Sequence, residues 1–204
     1  MPKLLREIVH HPYFVSAELR GYRWSNDTDE GRTARAKWAE HFALGKGPMN
    51  PEDTPRTAAI VNPVDLKGMA KVGFWTVDDA IKDLIEDIDP GRHQFLPITL
   101  KTWIDEKPIE GGERYFLNVY SHQFSVIDEL TSAKAPSGFE ETRERLLINY
   151  LVPKVTIDPS KLSRDIHLWR ECRYDFSLFI SDTLYEHLAD RGIELPTIDV
   201  DEVD

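Results

Sequence analysis

The segment between residues 76 and 91 constrains the fold of this chain more than any other part of its sequence. Apolar and charged residues recur there with the period of about 3.6 residues that is typical of a surface helix lying on a core. The apolar residues on one face are Val77, Ala80, Ile81, Leu84, Ile85 and Ile88. Thr76 is the predicted N-cap, Asp79 follows it with the spacing of a capping box, and Pro90 and Gly91 end the helix.

Strand-like segments follow this helix and recur towards the C-terminus. Pro97 indicates that the first of them, residues 95–100, is a sheet edge or a strand start. Further strands are predicted at residues 114–120, 126–130, 155–157, 166–170 and 177–180. Ser181 is the predicted N-cap of a last helix that Gly192 closes. Because helices flank the strands without strict alternation, the predicted fold is α+β, with a mixed or mainly antiparallel sheet flanked by helices.

Residues 1–70 are predicted to be an N-terminal elaboration of a domain formed by residues 71–204. The elaboration contains one or two strands in residues 1–24, a loop at 25–32, a helix at 33–44 that Gly45 ends, and a proline-rich loop at 45–57. A further helix is predicted at residues 139–150. The length of 204 residues favours one structural unit overall.

The charge balance argues against nucleic acid as the main partner. Lys and Arg number 25 against 36 Asp and Glu, which gives a net charge of −11 with His neutral. Binding phosphate requires clustered Lys and Arg, whereas an acidic surface fits a basic partner or simply keeps the protein in solution. The candidate acidic patches are Asp27, Asp29 and Glu30, then Asp83, Glu86 and Asp87, then Asp199, Asp201 and Glu202.

The cysteine content and the hydropathy pattern indicate a cytoplasmic protein. Cys172 is the single cysteine of the chain, which excludes a disulfide framework and fits a reducing compartment. Charges interrupt the first residues before any apolar signal-peptide region can form, and no apolar run approaches the length of a membrane span. We therefore expect no interaction with a membrane.

No strong catalytic constellation is present in the sequence. The chain lacks a glycine-rich phosphate loop and a nucleophile elbow. Ser181 followed by Asp182 is explained by a helix cap, and His167 and Cys172 would face opposite sides of a strand. His93 and Gln94 are predicted to form a helix-to-strand corner and not a polar site. We therefore predict no catalytic, cofactor-binding or metal-binding residues.

The motif that follows the amphipathic helix resembles a bacterial immunity-protein family of polymorphic toxin systems. This is the eleventh numbered immunity family, long catalogued as a domain of unknown function. The motif residues are Pro90, Gly91, His93, Gln94, Phe95 and Pro97. The resemblance covers residues 74–120 and 155–200, where residues 115–119, 158–161, 167–170 and 179–181 also match.

The resemblance implies an α+β domain that binds and neutralises a toxin made by the same cell or its kin, often beside a secretion-system locus. It implies no catalysis and no cofactor, and it does not name the toxin. Together with the acidic composition, it predicts occlusion of a basic, nuclease-like module by aromatic anchors ringed with carboxylates. Two alternatives remain open, a non-catalytic adaptor that self-assembles and a small hydrolase with a site near His93 or His167. The oligomeric state and the binding face are also open.

Overall fold

The chain forms two compact units in a computed structural model. The structure describes residues 1–5, 14–15, 17–20, 29–61, 66, 68–134, 147–148, 154–174 and 177–203. Unit 1 comprises Met1–Glu7, Ala43–Gly45 and Tyr120–Asp204, and unit 2 comprises Ile8–Phe42 and Lys46–Val119. The first 70 residues therefore contribute to both units. The predicted domain boundary at residue 70 and the predicted N-terminal elaboration stay predictions.

The described elements are strands, three α-helices and short 3-10 turns. The strands are β1 (Lys3–Leu5), β2 (Phe14–Val15), β3 (Ala17–Arg20), β4 (Thr57–Ile60), β5 (Met69–Val72), β6 (Phe74–Val77), β7 (His93–Thr102), β8 (Pro108–Val119), β9 (His122–Gln123), β10 (Ala133–Lys134), β11 (Leu147–Ile148), β12 (Thr156–Ile157), β13 (Leu168–Glu171), β14 (Phe179–Ile180), β15 (Thr197–Asp199) and β16 (Asp201–Glu202). The α-helices are α1 (Asp29–Leu44), α2 (Asp79–Ile88) and α3 (Asp182–Ala189). The 3-10 turns are Pro51–Asp53, Asp128–Leu130 and Pro159–Lys161.

Unit 2 is built on a seven-stranded sheet in the order β2-β5-β6-β8-β7-β4-β3. The β2–β5 and β4–β7 pairs are parallel and the other pairs are antiparallel, so the predicted mixed sheet and the α+β class are confirmed. Trp38 of α1 packs edge-to-face against Phe74 and Phe116, with ring centroids 4.8 and 5.8 Å away. These aromatic rings bury large apolar areas and so connect α1 to the sheet.

The β7–β8 hairpin is the longest pairing of this sheet and requires a glycine at one position. A β-carbon at Gly112 would lie 2.7 Å from the carbonyl oxygen of Ile109 and 2.8 Å from that of Leu100. No other residue fits there without a backbone shift. The pairing register shifts between Thr99 and Lys101, across the hairpin from this glycine.

Pro97 does not lie in an edge strand, contrary to the prediction. β7 lies between β8 and β4, and Pro97 pairs with Tyr115 of β8. The pairing of β7 with β4 begins only at Thr99, whose backbone N–H donates to the carbonyl oxygen of Arg56 at 2.9 Å. Pro97 therefore lies in a part of β7 that pairs on one side only, where a missing N–H donor leaves no gap in a ladder.

The amphipathic helix exists, but the N-cap prediction was wrong. Thr76 belongs to β6 and its hydroxyl donates to the carbonyl oxygen of Ala70 at 3.0 Å. Asp78 is the N-cap, because its carboxylate accepts the N–H groups of Ile81 at 3.0 Å and Gly68 at 2.7 Å. The buried face of α2 is also narrower than predicted, since Ile81, Leu84 and Ile85 are buried, whereas Ala80 is exposed and Val77 belongs to β6.

Unit 1 is built on a five-stranded sheet in the order β15-β1-β14-β13-β9. The β13–β9 pair is parallel and the others are antiparallel. The Trp169 and Phe179 rings stack in its core with centroids 5.6 Å apart. The Ser181 cap of α3 is confirmed, because its hydroxyl oxygen accepts the N–H of Leu184 at 3.2 Å, and Gly192 follows the helix with φ +75°.

Three local predictions in other segments need correction. α1 begins at Asp29, inside the predicted loop 25–32, where acidic residues in the first turn favour a helix start. In place of a strand at 126–130, Val126 makes one antiparallel bridge with Ile157 and a 3-10 turn follows. Of the predicted helix 139–150, Leu147–Ile148 is the strand β11, paired with β10, and the other residues lie outside the described part.

A buried arginine connects Leu66 and Gly68 to the strand β6. Arg114 of β8 is 2% exposed, and its guanidinium donates to the carbonyl oxygens of Leu66, Gly68 and Thr76. Its Nε also donates to the Thr76 hydroxyl at 3.1 Å. Burial lowers the pKa of Arg114 to about 10, while the charge of Asp78 acts in the opposite direction. The Arg114 guanidinium is thus a buried cation that hydrogen bonds to backbone carbonyl oxygens stabilise.

Replacing Arg114→Leu should destabilise the protein strongly. The substitution removes the guanidinium donors from the carbonyl oxygens of Leu66, Gly68 and Thr76, of which Gly68 keeps the Asp78 N–H at 3.1 Å, so we expect the free energy of unfolding to fall by about 3 kcal/mol. Urea unfolding followed by tryptophan fluorescence measures the loss. Arg56→Leu is the matched control, because Arg56 is exposed, and its free energy of unfolding should stay within about 0.5 kcal/mol of the wild-type value. Equal losses in the two variants would contradict the assignment.

Candidate functional site

The predicted acidic patch at residues 83–87 lies on the outer surface of α2. Asp83, Glu86 and Asp87 are exposed on it. Lys82 Nζ approaches the Asp83 carboxylate to 3.5 Å. Within the part of the chain that the structure describes, no basic side chain pairs with Glu86 or Asp87. These carboxylates therefore contribute unneutralised negative charge to the surface.

A tyrosine lies beside this patch. The Tyr115 hydroxyl donates to the Asp79 carboxylate at 2.9 Å, and Lys82 Nζ lies 5.3 Å from the centroid of the Tyr115 ring. The hydrogen bond to Asp79 raises the pKa of Tyr115, with smaller contributions from desolvation and from nearby carboxylates such as Asp83. We name Asp79, Asp83, Glu86, Asp87 and Tyr115 the α2 acidic face. A partly exposed aromatic ring among carboxylates is the arrangement that the sequence analysis expects of a binding surface.

The C-terminal acidic patch of unit 1 is partly neutralised. Lys3 Nζ donates to the Asp199 carboxylate at 2.9 Å and lies 5.1 Å from the centroid of the Tyr185 ring. The hydrogen bond and the charge of Lys3 lower the pKa of Asp199. Asp201 and Glu202 are exposed in β16. Because Lys3 offsets one carboxylate, this patch carries less net charge than its sequence indicates.

The N-terminal acidic patch is described only in part. Asp29 is the exposed first residue of α1 and pairs with Arg32. Glu30 follows it in α1, and Asp27 lies outside the described residues. The grouping of these three carboxylates therefore stays a prediction.

The family-motif residues form the predicted helix-to-strand corner. Asp89 is the C-cap residue of α2, and its buried carboxylate lies 2.9 Å from Nε2 of the buried His93. The Gln94 amide oxygen accepts the N–H of Met49 at 2.8 Å, and its amide nitrogen donates to the Met49 carbonyl at 2.7 Å. Asn118 donates to the same amide oxygen at 3.2 Å. The motif thus connects α2, β7, β8 and the 45–49 loop.

The remaining motif residues complete this corner and begin the strand. Gly91 has φ +68°, which a side chain would disfavour, and it follows Pro90 in the turn. Phe95 and Pro97 lie in β7. Pro90 and Gly91 therefore form the connection from α2 to β7, and Phe95 and Pro97 belong to the strand itself.

A cavity of about 320 Å³ in unit 1 contains the second histidine that the hydrolase alternative names. Nδ1 of His167 lies 2.9 Å from the Ser181 hydroxyl oxygen, and both residues line the cavity. A nucleophile and base require such a distance. The Ser181 hydroxyl oxygen, however, also accepts the N–H of Leu184 as the α3 cap. We interpret the pair as part of the helix cap.

Metal-ligand clusters and membrane-spanning helices are not found in the described ranges. No group of three or more His, Cys, Asp or Glu residues among them could hold a metal ion. None of the helices that the structure describes is long and apolar enough to cross a membrane.

Desolvation, followed by the charge of Glu171, raises the pKa of the exposed Cys172 thiol. A raised thiol pKa is the opposite of what activates a nucleophilic cysteine.

Two mixed sheets with helices define an α+β protein, and the α2 acidic face places a tyrosine beside carboxylates on its surface. The model of the immunity protein family (Imm11) matches residues 11–197. The chain belongs to this family, as the sequence motif predicted. The match also includes residues 11–70, outside the ranges 74–120 and 155–200 that carried the resemblance. No curated protein matches the chain.

The sequence analysis missed a group of exposed apolar residues. Val61, Trp103 and Ile104 are 51%, 41% and 93% exposed. Each occurs next to a strand, where an apolar residue normally indicates core. The available signal is the placement of Trp103 and Ile104 directly before the charged residues 105–107, at a point where the chain must reverse between two strands.

Substituting Ser181→Ala should weaken the start of α3. The N–H of Leu184 loses its acceptor, so we expect the free energy of unfolding to fall by about 1 kcal/mol. Thermal unfolding followed by circular dichroism measures the effect. Thr183→Ala is the control, because Thr183 is exposed and lies two residues after Ser181 in the first turn of α3. It should change stability by less than about 0.5 kcal/mol. An unchanged Ser181→Ala variant would rule out the capping role.

Proposed function

We propose that the protein is an immunity protein that binds a cognate toxin and neutralises it by occlusion and charge complementarity. The toxin that we expect is a basic, nuclease-like module. Membership of the immunity protein family supports the class of function. The observation that supports the mechanism is the α2 acidic face, whose carboxylates at Glu86 and Asp87 have no cation paired with them in the described part of the chain.

Charge explains why such a face favours a basic toxin. A module that cuts nucleic acid needs clustered Lys and Arg to hold phosphate. Carboxylates on this face would attract those cations over a distance of about 10 Å at moderate salt. The net charge of −11 on the whole chain would also attract a basic toxin and so increase the association rate. The acidic face would then cover the cations that bind the substrate.

The support under α2 makes this face suitable for rapid and specific binding. Ile81, Leu84 and Ile85 are buried beneath it, and the Asp78 cap fixes its first turn. Tyr115 is held in place by its hydrogen bond to Asp79. Because these groups are ordered before binding, their ordering costs little entropy when the complex forms.

The compartment and genetic setting belong to the same proposal. We place the protein in the cytoplasm of a toxin-producing bacterium, where the single Cys172 stays reduced. Its gene would lie beside that of the toxin, near a secretion system. The neighbouring reading frame supplies the toxin module for the tests that follow.

Binding to the toxin module encoded beside this gene should depend strongly on salt. We expect the association rate to fall at least about tenfold between 50 and 300 mM NaCl, because screening shortens the reach of the carboxylates. Stopped-flow fluorescence measures the rate. Equal rates at both salt concentrations would eliminate charge complementarity, and absence of any complex would eliminate the proposed function.

Reversing the charges of the α2 acidic face should slow association. The triple variant Asp83→Lys, Glu86→Lys, Asp87→Lys should associate about 10 to 100 times more slowly at low salt, with a smaller effect on dissociation. The matched control reverses the exposed acidic residues Glu186, Asp190 and Glu194 of unit 1, which gives the same change of net charge. If both triple variants slow association equally, net charge and not this face is responsible.

A further inference from the structure

The β7–β8 hairpin of unit 2 ends in an exposed apolar group. Ile104 is 93% exposed and Trp103 is 41% exposed. The Trp103 N–H donates to the carbonyl oxygen of Ile60 at 2.9 Å, which places Val61, itself 51% exposed, beside the hairpin end. We name Val61, Trp103 and Ile104 the apolar tip. Single exposed apolar residues are common, but a contiguous group of large ones marks an interaction site.

Hydrogen bonds hold the loop that carries Ile104. The Thr102 N–H donates to the Lys107 carbonyl oxygen at 2.9 Å, and the Lys107 N–H donates to the Thr102 hydroxyl oxygen at 3.0 Å. The Thr102 hydroxyl also donates to the Asp105 carboxylate, which Lys107 Nζ approaches to 2.7 Å. Hydrogen bonds from Lys107 and Thr102 lower the pKa of Asp105 to about 2. The loop is therefore ordered before any partner arrives.

Glu106 keeps an unfavourable backbone conformation in this loop. Its φ is +53°, and among the described residues it is the one non-glycine residue with positive φ. Glycine would adopt this conformation at lower cost than a residue with a side chain. Such conformations concentrate at functional sites. Glu106 is exposed and lies two residues along the chain from Ile104.

The charge around the apolar tip indicates which partner it fits. Asp105, Glu106 and Glu110 are exposed around it, and Lys107 is paired with Asp105. A second copy of the chain would bring like charges together, and an anionic lipid surface would repel them. A basic protein surface would instead pair with them. An apolar centre with a charged rim is the usual composition of a protein–protein interface.

We propose that the apolar tip is an anchor that inserts into an apolar pocket within a basic cleft of the toxin, with Glu106 and Glu110 facing the cations of that cleft. This inference rests on the proposed function and specifies the surface that performs it. Anchors of this kind, buried at the centre of an interface, contribute most of the binding energy.

The test compares two exposed apolar residues, one in each unit. Ile104→Asp places a charge where the anchor would be buried, and we expect it to weaken binding of the purified toxin module at least about 100-fold, mostly through faster dissociation. Phe124→Asp is the matched control, because Phe124 is a 68% exposed apolar residue in unit 1, and binding should change less than about threefold. Surface plasmon resonance measures both rates, and thermal unfolding checks that both variants fold.

The possible outcomes separate this inference from the proposed function. If wild type binds the toxin module and Ile104→Asp binds equally well, the anchor is elsewhere while the immunity function stands. If Phe124→Asp alone weakens binding, the anchor lies in unit 1 and the inference is overturned. If wild type forms no complex, the proposed function itself fails. Light scattering provides a further check, since a wild-type dimer that Ile104→Asp dissociates would assign the tip to self-association.

Discussion

The hydrogen bonds between the buried guanidinium of Arg114 and the carbonyl oxygens around it connect strand β8 of unit 2 to the residues on which α2 begins. Arg114 projects from β8, the strand that forms the hairpin with β7, and it holds Gly68 and Thr76. Gly68 in turn donates its N–H to the Asp78 carboxylate that caps α2. Arg114 thus stabilises, through Gly68, the cap on which α2 begins. Unit 1 has a counterpart of opposite sign, because the buried Glu171 carboxylate accepts hydrogen bonds from the Ser125 N–H at 2.9 Å and the Trp169 Nε1 at 3.2 Å. Burial of an ion in either unit is tolerated because the surrounding dipoles replace water.

The two candidate contact surfaces of unit 2 are connected by the same strand. Tyr115, at the acidic face, and Pro108, next to the apolar tip, are both in β8, and the strand between them spans roughly 20 Å. That distance is within the width of a small protein domain. A single toxin domain could therefore contact carboxylates at one end and apolar side chains at the other. In the proposed complex, the charges of the acidic face would act on the association rate and the apolar tip on the dissociation rate.

The sequence predicts which helices and strands exist better than it predicts the residues at which they begin and end. The periodic segment of α2 and the Ser181 cap of α3 were recognisable because local side-chain spacing determines them. Thr76 was mistaken for a cap because both Thr76 and Asp78 offer an oxygen, and only the pairing of β6 with β5 and β8 assigns Thr76 to a strand. Pro97 was placed at an edge because the late start of the β4 pairing is a long-range property. The exposure of Ile104 was missed for the same reason, since an isoleucine beside a strand has the same local pattern whether a neighbouring strand covers it or not.

The position of β1 between β14 and β15 has a consequence for synthesis on the ribosome. The strands of unit 2 are complete once residue 119 has been translated, whereas the sheet of unit 1 needs its first strand to wait for residues near 180 and 198. Domains generally fold as soon as their residues leave the exit tunnel. The growing chain therefore acquires its acidic helix and hairpin early, and β1 remains without its sheet partners until residues near 180 and 198 have been translated.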